Sequence, residues 1–411
     1  MSGVVILCGP YPVDDGLGGI GLRMWELAQL LADAGHQVTL VAPRTSDFTH
    51  PGVRITTGDA RDQVKACDVV VTTDLPDTRL VLTAYRAGKL IVAENAPPIE
   101  HLHYDKLSGA AGEELYADTV ARWRLQLLLA DHLLVRSEAE RASTFGALVA
   151  AGRMSTTHHR TDPALRHLVS LLPIGFNRHS ARTAAAATAQ QAGRCDVLWN
   201  GGVWDYCHPA PVLAALAAAA KTGSALSLRL LYEPAPVPRA DLQHLAKELD
   251  VVGHLRWPTG PVPHRGRDAW VKAARALVVT GGRTAENMTC HRLRLRDAAL
   301  YGLPVVVDSH GASGDLVAAL GIGPAVDPAD PDALARALLD AARDGPARRR
   351  YLTALAAARD RFTLERHIGP LLRLLDSGRP APDRHALAHC RAIDTLLAEH
   401  PALDQRPPAV L

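Results

Sequence analysis

Short apolar runs, too brief to be helices, alternate with segments of helical periodicity along most of this chain. Val4-Val5-Ile6-Leu7 is such a run, rich in β-branched residues and apolar on both faces; a helical pattern follows over 22–34 and stops at Gly35. Strands are then expected over 37–42, 68–72, 90–93 and 132–135, with helices over 77–86, about 110–130 and 138–151. Strands separated by helices pair in parallel, and a parallel sheet is covered by helices on both faces. Residues 177–193 are rich in Ala, Thr and Gln and show neither period, which predicts a connector. The rhythm restarts beyond it, with strands over 197–199, 226–231, 276–280 and 304–307 and helices over 211–220 and 239–249. From about residue 334 the pattern is helical apart from a Pro-containing break at 377–383. The expected architecture is α/β: two Rossmann-like, doubly wound domains facing a cleft. The first spans 1–176, a linker 177–194, the second domain 195–365 and a helical segment 366–411.

Length and charge agree with that reading and narrow the function. At about 150 residues per domain, 411 residues make two to three units. Forty-five basic residues against 43 acidic leave a formal charge of +2, which gives no electrostatic footprint for nucleic acid or a membrane surface. Six lysines among those basic residues and the abundance of Ala and Leu reflect a GC-rich genome, so arginine content alone says little about phosphate binding. The six cysteines form no C-x-x-C pair, which predicts packed thiols in a reducing, cytoplasmic setting. MSGVVILCGP lacks a basic n-region, and no apolar run approaches the roughly 18 residues of a membrane span; no stable membrane insertion is expected.

In open parallel sheets ligands bind beyond the carboxyl ends of the strands, so the candidate residues are those in strand-end loops. The first such loop, GPYPVDDGLGGIG, contains Gly16-x-Gly18-x-x-Gly21, formally a dinucleotide fingerprint. A nicotinamide site wants the first Gly directly after the strand and an acid at the end of the second strand; here Pro10 and Pro12 intervene and Val41-Ala42-Pro43-Arg44 supplies no acid. The loop fits better as a mobile segment whose Gly18 and Gly19 amides meet phosphate oxygens at a helix N-terminus. In the second domain WNGGVWDYCHP places Gly201 and Gly202 where backbone can approach a ligand. ENMTCHRLRLRDAALYGLPVVV places Arg292 and Arg294 at a strand-end loop, as candidate bidentate phosphate ligands, with Asp297 five residues before Gly302 as a carboxylate for a diol. Gly311-Ala312-Ser313-Gly314-Asp315 opens a further helix and offers Gly314 as part of an anion nest. The fourth strand of the first domain runs into Glu94 to His103; there Glu100 and His101 are candidates to orient or deprotonate an acceptor, and His101-x-His103 has no third ligand at metal spacing. Asp308-Ser309-His310 lacks a G-x-S-x-G elbow and cannot form a triad from adjacent residues.

As an ordered set, the Gly-rich first loop, GHQVTLVAP, AGRM, LLPIGF, WNGGVWDYCHP and ENMTCHRLRLRDAALYGLPVVV resemble the large retaining group of GT-B glycosyltransferases that use nucleotide sugars (family 4-like). The resemblance covers nearly the whole chain. It implies transfer of a sugar from a UDP- or GDP-sugar to a small soluble acceptor with retention of configuration, and suggests natural-product metabolism. In that family the last motif carries two glutamates eight apart. The second, which binds the nucleotide ribose, matches Asp297; the first matches Thr289, with Glu286 three residues earlier as the nearest acid. Where many relatives place an Arg and a Lys for the diphosphate, this chain has Trp204, Cys207 and His208, so Arg292 and Arg294 are expected to take over that role. Trp257 is the expected wall of a nucleobase pocket. With no Asp-x-Asp motif in these candidate loops, no metal and no cofactor beyond the nucleotide sugar are expected. Aminocyclitols, alcohols and small thiols such as thiohistidine betaines all stay open as acceptors. So do a pseudo-glycosyltransferase, a silent nucleotide-sugar binder and an NAD(P)-dependent oxidoreductase built on the first glycine loop.

Overall fold

The computed structural model of the chain describes residues 2–94, 109–204, 206–258 and 260–405. It divides into two compact units, Met1–Pro173 with Leu364–Leu411, and Ile174–Thr363. The first is built on seven parallel strands: β1 (Gly3–Leu7), β2 (Gln37–Val41), β3 (Val53–Thr56), β4 (Val69–Thr73), β5 (Leu90–Glu94), β6 (His132–Val135) and β7 (Val169–Leu171), in the order β3-β2-β1-β4-β5-β6-β7. Alternation along β1 shows why both sheet faces need helices: Val4 and Ile6 enter one apolar cluster, Val5 and Leu7 another. The second unit carries six parallel strands: β8 (Cys195–Trp199), β9 (Leu228–Leu230), β10 (Leu255–Arg256), β11 (Ala274–Val279), β12 (Val305–Asp308) and β13 (Ala325–Val326). Their order is β10-β9-β8-β11-β12-β13. In each sheet the direction of strand addition reverses once, between β1 and β4 and between β8 and β11, and each reversal leaves a crevice at the carboxyl ends of two neighbouring strands.

Two stretches differ from the sequence expectation. The expected connector contains a helix, Arg178–Ala186, capped by Asn177, whose side chain accepts from the Ser180 amide at 2.9 Å. Alanines give it propensity without an apolar stripe, and a single buried contact, Ala184, joins it to the core of the second unit. Lys272 holds its end by donating to Ala185 O (3.0 Å) and Ala187 O (2.7 Å). The C-terminal segment belongs to the first unit, where Ile368, Leu371, Leu375, Ile393, Leu396 and Leu403 are buried in its two clusters. Two buried ion pairs fasten it: Arg153 to Asp383 (2.7 Å) and Arg384 to Asp131 (2.6 Å). Five of the six cysteines are buried free thiols, and Cys390 is partly exposed. No helix among the described residues is long and apolar enough to cross a membrane.

Candidate active site

At the reversal point of the first unit, Tyr11, from the loop after β1, donates its hydroxyl to the carboxylate of Asp74, the residue after β4. Asp74 stands at φ 56°, a left-handed conformation that aspartate tolerates better than most residues. The glycines of this loop divide into two kinds. A Cβ on Gly21 would lie 2.3 Å from Pro12 O, so that glycine serves the packing of the loop on the helix Gly19–Asp33. Gly18 is the uncapped N-cap of that helix, with nothing within 4 Å of a built Cβ and no acidic residue in the first turn. The Gly18–Gly19 amides thus stand where an anion is favoured. Glu94, at the end of β5, is fully buried and paired with Arg23, whose guanidinium also donates to Leu172 O and Pro173 O. Glu100 and His101 lie outside the described residues.

The reversal point of the second unit gathers more of the expected residues. β8 ends at Trp199 and the chain continues as Asn200-Gly201-Gly202; the Trp199 indole donates to Gly202 O at 3.0 Å, which folds the turn back on its own strand. Arg294 lies flat on this turn. Its guanidinium stacks on the Trp199 ring (4.9 Å to the centroid) and Nη2 donates to Gly202 O at 3.3 Å. A Cβ on Gly201 would come within 2.3 Å of the guanidinium carbon, so only glycine leaves room for the arginine. Gly202 faces the half-exposed indole of Trp204, 2.8 Å from where its own Cβ would stand. Arg294 Nη1 is buried and has no hydrogen-bond partner among the described residues.

Arg292 is placed differently. It is buried, donates to Glu286 Oε1 at 2.8 Å and to Asn287 Oδ1, and stacks on Tyr206 (4.7 Å). Its backbone amide donates to Ser313 Oγ at 3.1 Å, and that hydroxyl donates to Cys290 O at 3.0 Å, which ties the loop to the helix Gly311–Leu320. Glu286, the nearest acid to the family's sugar-binding position, is the counter-ion of Arg292, and it carries an N-terminal position in the short helix Ala285–Thr289.

Asp297, the expected ribose ligand, lies inside the fold. It is 1% exposed, and its oxygens are occupied by Arg267, in an ion pair through both Nη atoms, and by Asn200 Nδ2 at 2.6 Å. Burial works to raise its pKa, but the Arg267 charge and these hydrogen bonds hold it below the ordinary carboxylate value. Gly314 is also reassigned: a Cβ there would lie 2.5 Å from Asp308 O, so the glycine lets its helix pack on the end of β12. Trp257 is partly buried against the core with the Arg239 guanidinium 5.3 Å from its ring. The neighbouring cavity, about 120 Å³, is lined by the residues that follow it (Pro258, Gly260, Pro261, Val262, Pro263) together with Leu231 and the Arg229–Trp270 stack, and Trp257 does not line it.

Two residues that sequence reasoning passed over matter most here. Asn200 follows directly on a strand, a position that signals a strand-end ligand, but the Gly-Gly pair behind it drew the reading. Arg267 lies on the helix His264–Val271, 30 residues before its partner, and nothing local to it announces the pairing. Asp308, weighed in the sequence only as part of a triad, ends β12: burial pushes its carboxyl up to about 6 against the favourable charges of His310 and Arg292, and its Oδ1 has no hydrogen-bond partner among the described residues.

No protein-family model matches the chain, and no curated protein matches it in sequence. Solved structures do match its fold. Sucrose-phosphate synthase from Thermosynechococcus elongatus is similar over 92% of this chain and 100% of its own, at 17% identity and a TM-score of 0.60. A trehalose-6-phosphate synthase, OtsA, gives a TM-score of 0.66 at 13% identity over the same shares, and an Anabaena protein, HepE, solved with UDP-glucose, 0.61 at 14%. AviGT4, a glycosyltransferase involved in avilamycin A biosynthesis, is similar over 93% of this chain and 98% of its own, at 16% identity and a TM-score of 0.55. The fold they share with this chain is GT-B, two Rossmann-like domains in tandem.

Proposed function

We propose that this chain is a glycosyltransferase that moves a sugar from a nucleoside diphosphate to a small soluble acceptor, with retention and without a metal. The observation that carries the reading is Arg294: a guanidinium seated on a glycine at the reversal point of the second sheet, braced by Trp199, with one Nη buried and without a hydrogen-bond partner among the described residues. A cation fixed beyond the strand ends is what a diphosphate leaving group needs, because charge grows on its oxygens as the glycosidic bond breaks. The cavity between Leu231, Trp270, Pro258 and residues 260–263, at the ends of β9 and β10 in the same sheet, suits a nucleobase. Arg292, already neutralised by Glu286, supports the loop that presents Arg294. Glu100 and His101 take the acceptor role on sequence grounds. The fold shared with HepE, solved with UDP-glucose, supports the donor class, and that shared with AviGT4 supports a place in natural-product metabolism.

The test is a thermal-shift panel of UDP, GDP, ADP, TDP, NAD and NADP in the presence of a chelator. A ligand at about 100 times its Kd stabilises the fold by about 2.7 kcal/mol, readily seen as a rise in Tm. A rise with one nucleoside diphosphate is expected and names the base. A rise confined to NAD or NADP would replace the transferase with an oxidoreductase, and binding that required Mn²⁺ or Mg²⁺ would overturn the metal-free reading.

A further inference from the structure

Asn200 is 3% exposed, so its side-chain amide depends on partners inside the protein. Nδ2 donates twice, to Asp297 Oδ2 at 2.6 Å and to Arg294 O at 3.3 Å. Both partners are acceptors, and the carboxylate is kept ionised by Arg267. Turning the amide over would set its oxygen against two oxygens, so the orientation is fixed by chemistry. Oδ1 is therefore held in one direction, buried, and has no partner among the described residues.

That oxygen follows the last residue of β8, next to the glycine on which Arg294 lies, and Arg294 Nη1 is a second polar atom there without a hydrogen-bond partner among the described residues. One is an acceptor waiting for a donor; the other is a cationic donor waiting for an acceptor. A ligand that satisfies both carries an anionic oxygen and, nearby, a hydroxyl. Given the donor reading above, on which this inference rests, the diphosphate supplies the first and the ribose the second. We propose that Asn200 Oδ1 accepts a hydrogen bond from a ribose hydroxyl of the nucleotide donor, and that Asp297 is a positioning residue which, pinned by Arg267, aims the Asn200 amide. A neutral amide has an advantage there over a carboxylate: it recognises the hydroxyl without placing a negative charge beside the diphosphate.

The experiment measures binding of UDP or GDP, whichever the wild-type chain prefers, of its 2′-deoxy and 3′-deoxy counterparts, and of inorganic pyrophosphate. Wild type is expected to lose about tenfold in affinity for at least one deoxy ligand, a typical penalty for a lost hydrogen bond to a buried partner. Asn200→Ala is expected to bind the ribonucleotide about tenfold more weakly, to bind the ribo and deoxy forms alike, and to bind pyrophosphate as wild type does. Asn200→Ser provides a second, smaller change should the alanine variant fail to fold. Asp297→Asn is expected to erode the same ribo-over-deoxy ratio with pyrophosphate binding retained, a pattern that general unfolding does not produce. A variant at position 200 that keeps the wild-type ribo-over-deoxy ratio would overturn the assignment while leaving the donor reading intact. Failure of wild type to bind either diphosphate would overturn the donor reading and this inference with it.

Discussion

Arg292 and Arg294 stand two residues apart in one loop and have opposite electrostatic situations. Arg292 faces a carboxylate it already neutralises; Arg294 faces an aromatic ring and a backbone oxygen, which leave its charge available. Their alanine variants should separate accordingly. Arg294→Ala is expected to keep a near wild-type Tm and to lower kcat by about 10²–10³, the usual loss for a donor that stabilises developing charge. Arg292→Ala breaks a buried ion pair and is expected to destabilise the second unit by about 3–5 kcal/mol, seen in urea titration, with activity falling as a consequence. Equal effects of the two on Tm would remove that distinction. The sequence could place both arginines in a strand-end loop, but not say which one is internally neutralised. Glu286 lies six residues from Arg292, and only the turn of the helix Ala285–Thr289 brings them face to face.

At the scale of elements, the turn after β8 works because two successive residues lack a Cβ. Gly201→Ala places a methyl group 2.3 Å from the Arg294 guanidinium, a flexible end that yields more easily than backbone. The expected result is a displaced arginine in an otherwise intact fold: diphosphate affinity about tenfold lower by calorimetry, equivalent to about 1.4 kcal/mol, with little change in Tm. A Gly201→Ala protein that binds as wild type would show that Arg294 need not lie on that turn. Elements of this kind were the legible part of the sequence. Strands such as 4–7 and 133–135 are continuous apolar runs, and helices such as the one ended by Gly302 carry their own stop signal, a glycine at φ 67°. What escaped were elements without a strong local period: β3, with its exposed Arg54, the three-residue β7, and the alanine-rich helix Arg178–Ala186. Long-range pairings escaped for a different reason. Asp297 reads as a free carboxylate until the fold brings Arg267 and Asn200 to it.

Across the whole molecule, acid acts on the two units in opposite directions. In the first unit burial lowers the pKa of His132 and His389 to about 4, so the unfolded chain binds more protons than the fold between pH 6.5 and 4. Stability there falls as the pH drops through that window. In the second unit burial raises Asp308 from 3.8 to about 6, so between those values the fold binds more protons and stability rises as the pH drops. Calorimetry from pH 7 to 4.5 should therefore show one transition moving down with acid while the other holds or moves up. Asp308→Asn should raise the second unit's stability by roughly 2–3 kcal/mol at pH 7 and flatten its dependence on pH. Transitions that move together, unaffected by the substitution, would deny Asp308 that role.

The return of residues 364–405 to the first unit also sets a timetable for synthesis. Asp131 and Arg153 are buried against residues made 253 and 230 positions later. At about 5–20 residues per second a ribosome needs roughly 12 to 50 s to deliver those partners. In that interval the whole of 174–363 emerges and is free to fold, while the nascent first unit holds an aspartate and an arginine without their ion-pair partners and an apolar face with no cover. The unit begun first is thus the unit finished last, and its unfinished surface is the one on which a chaperone would be expected to act.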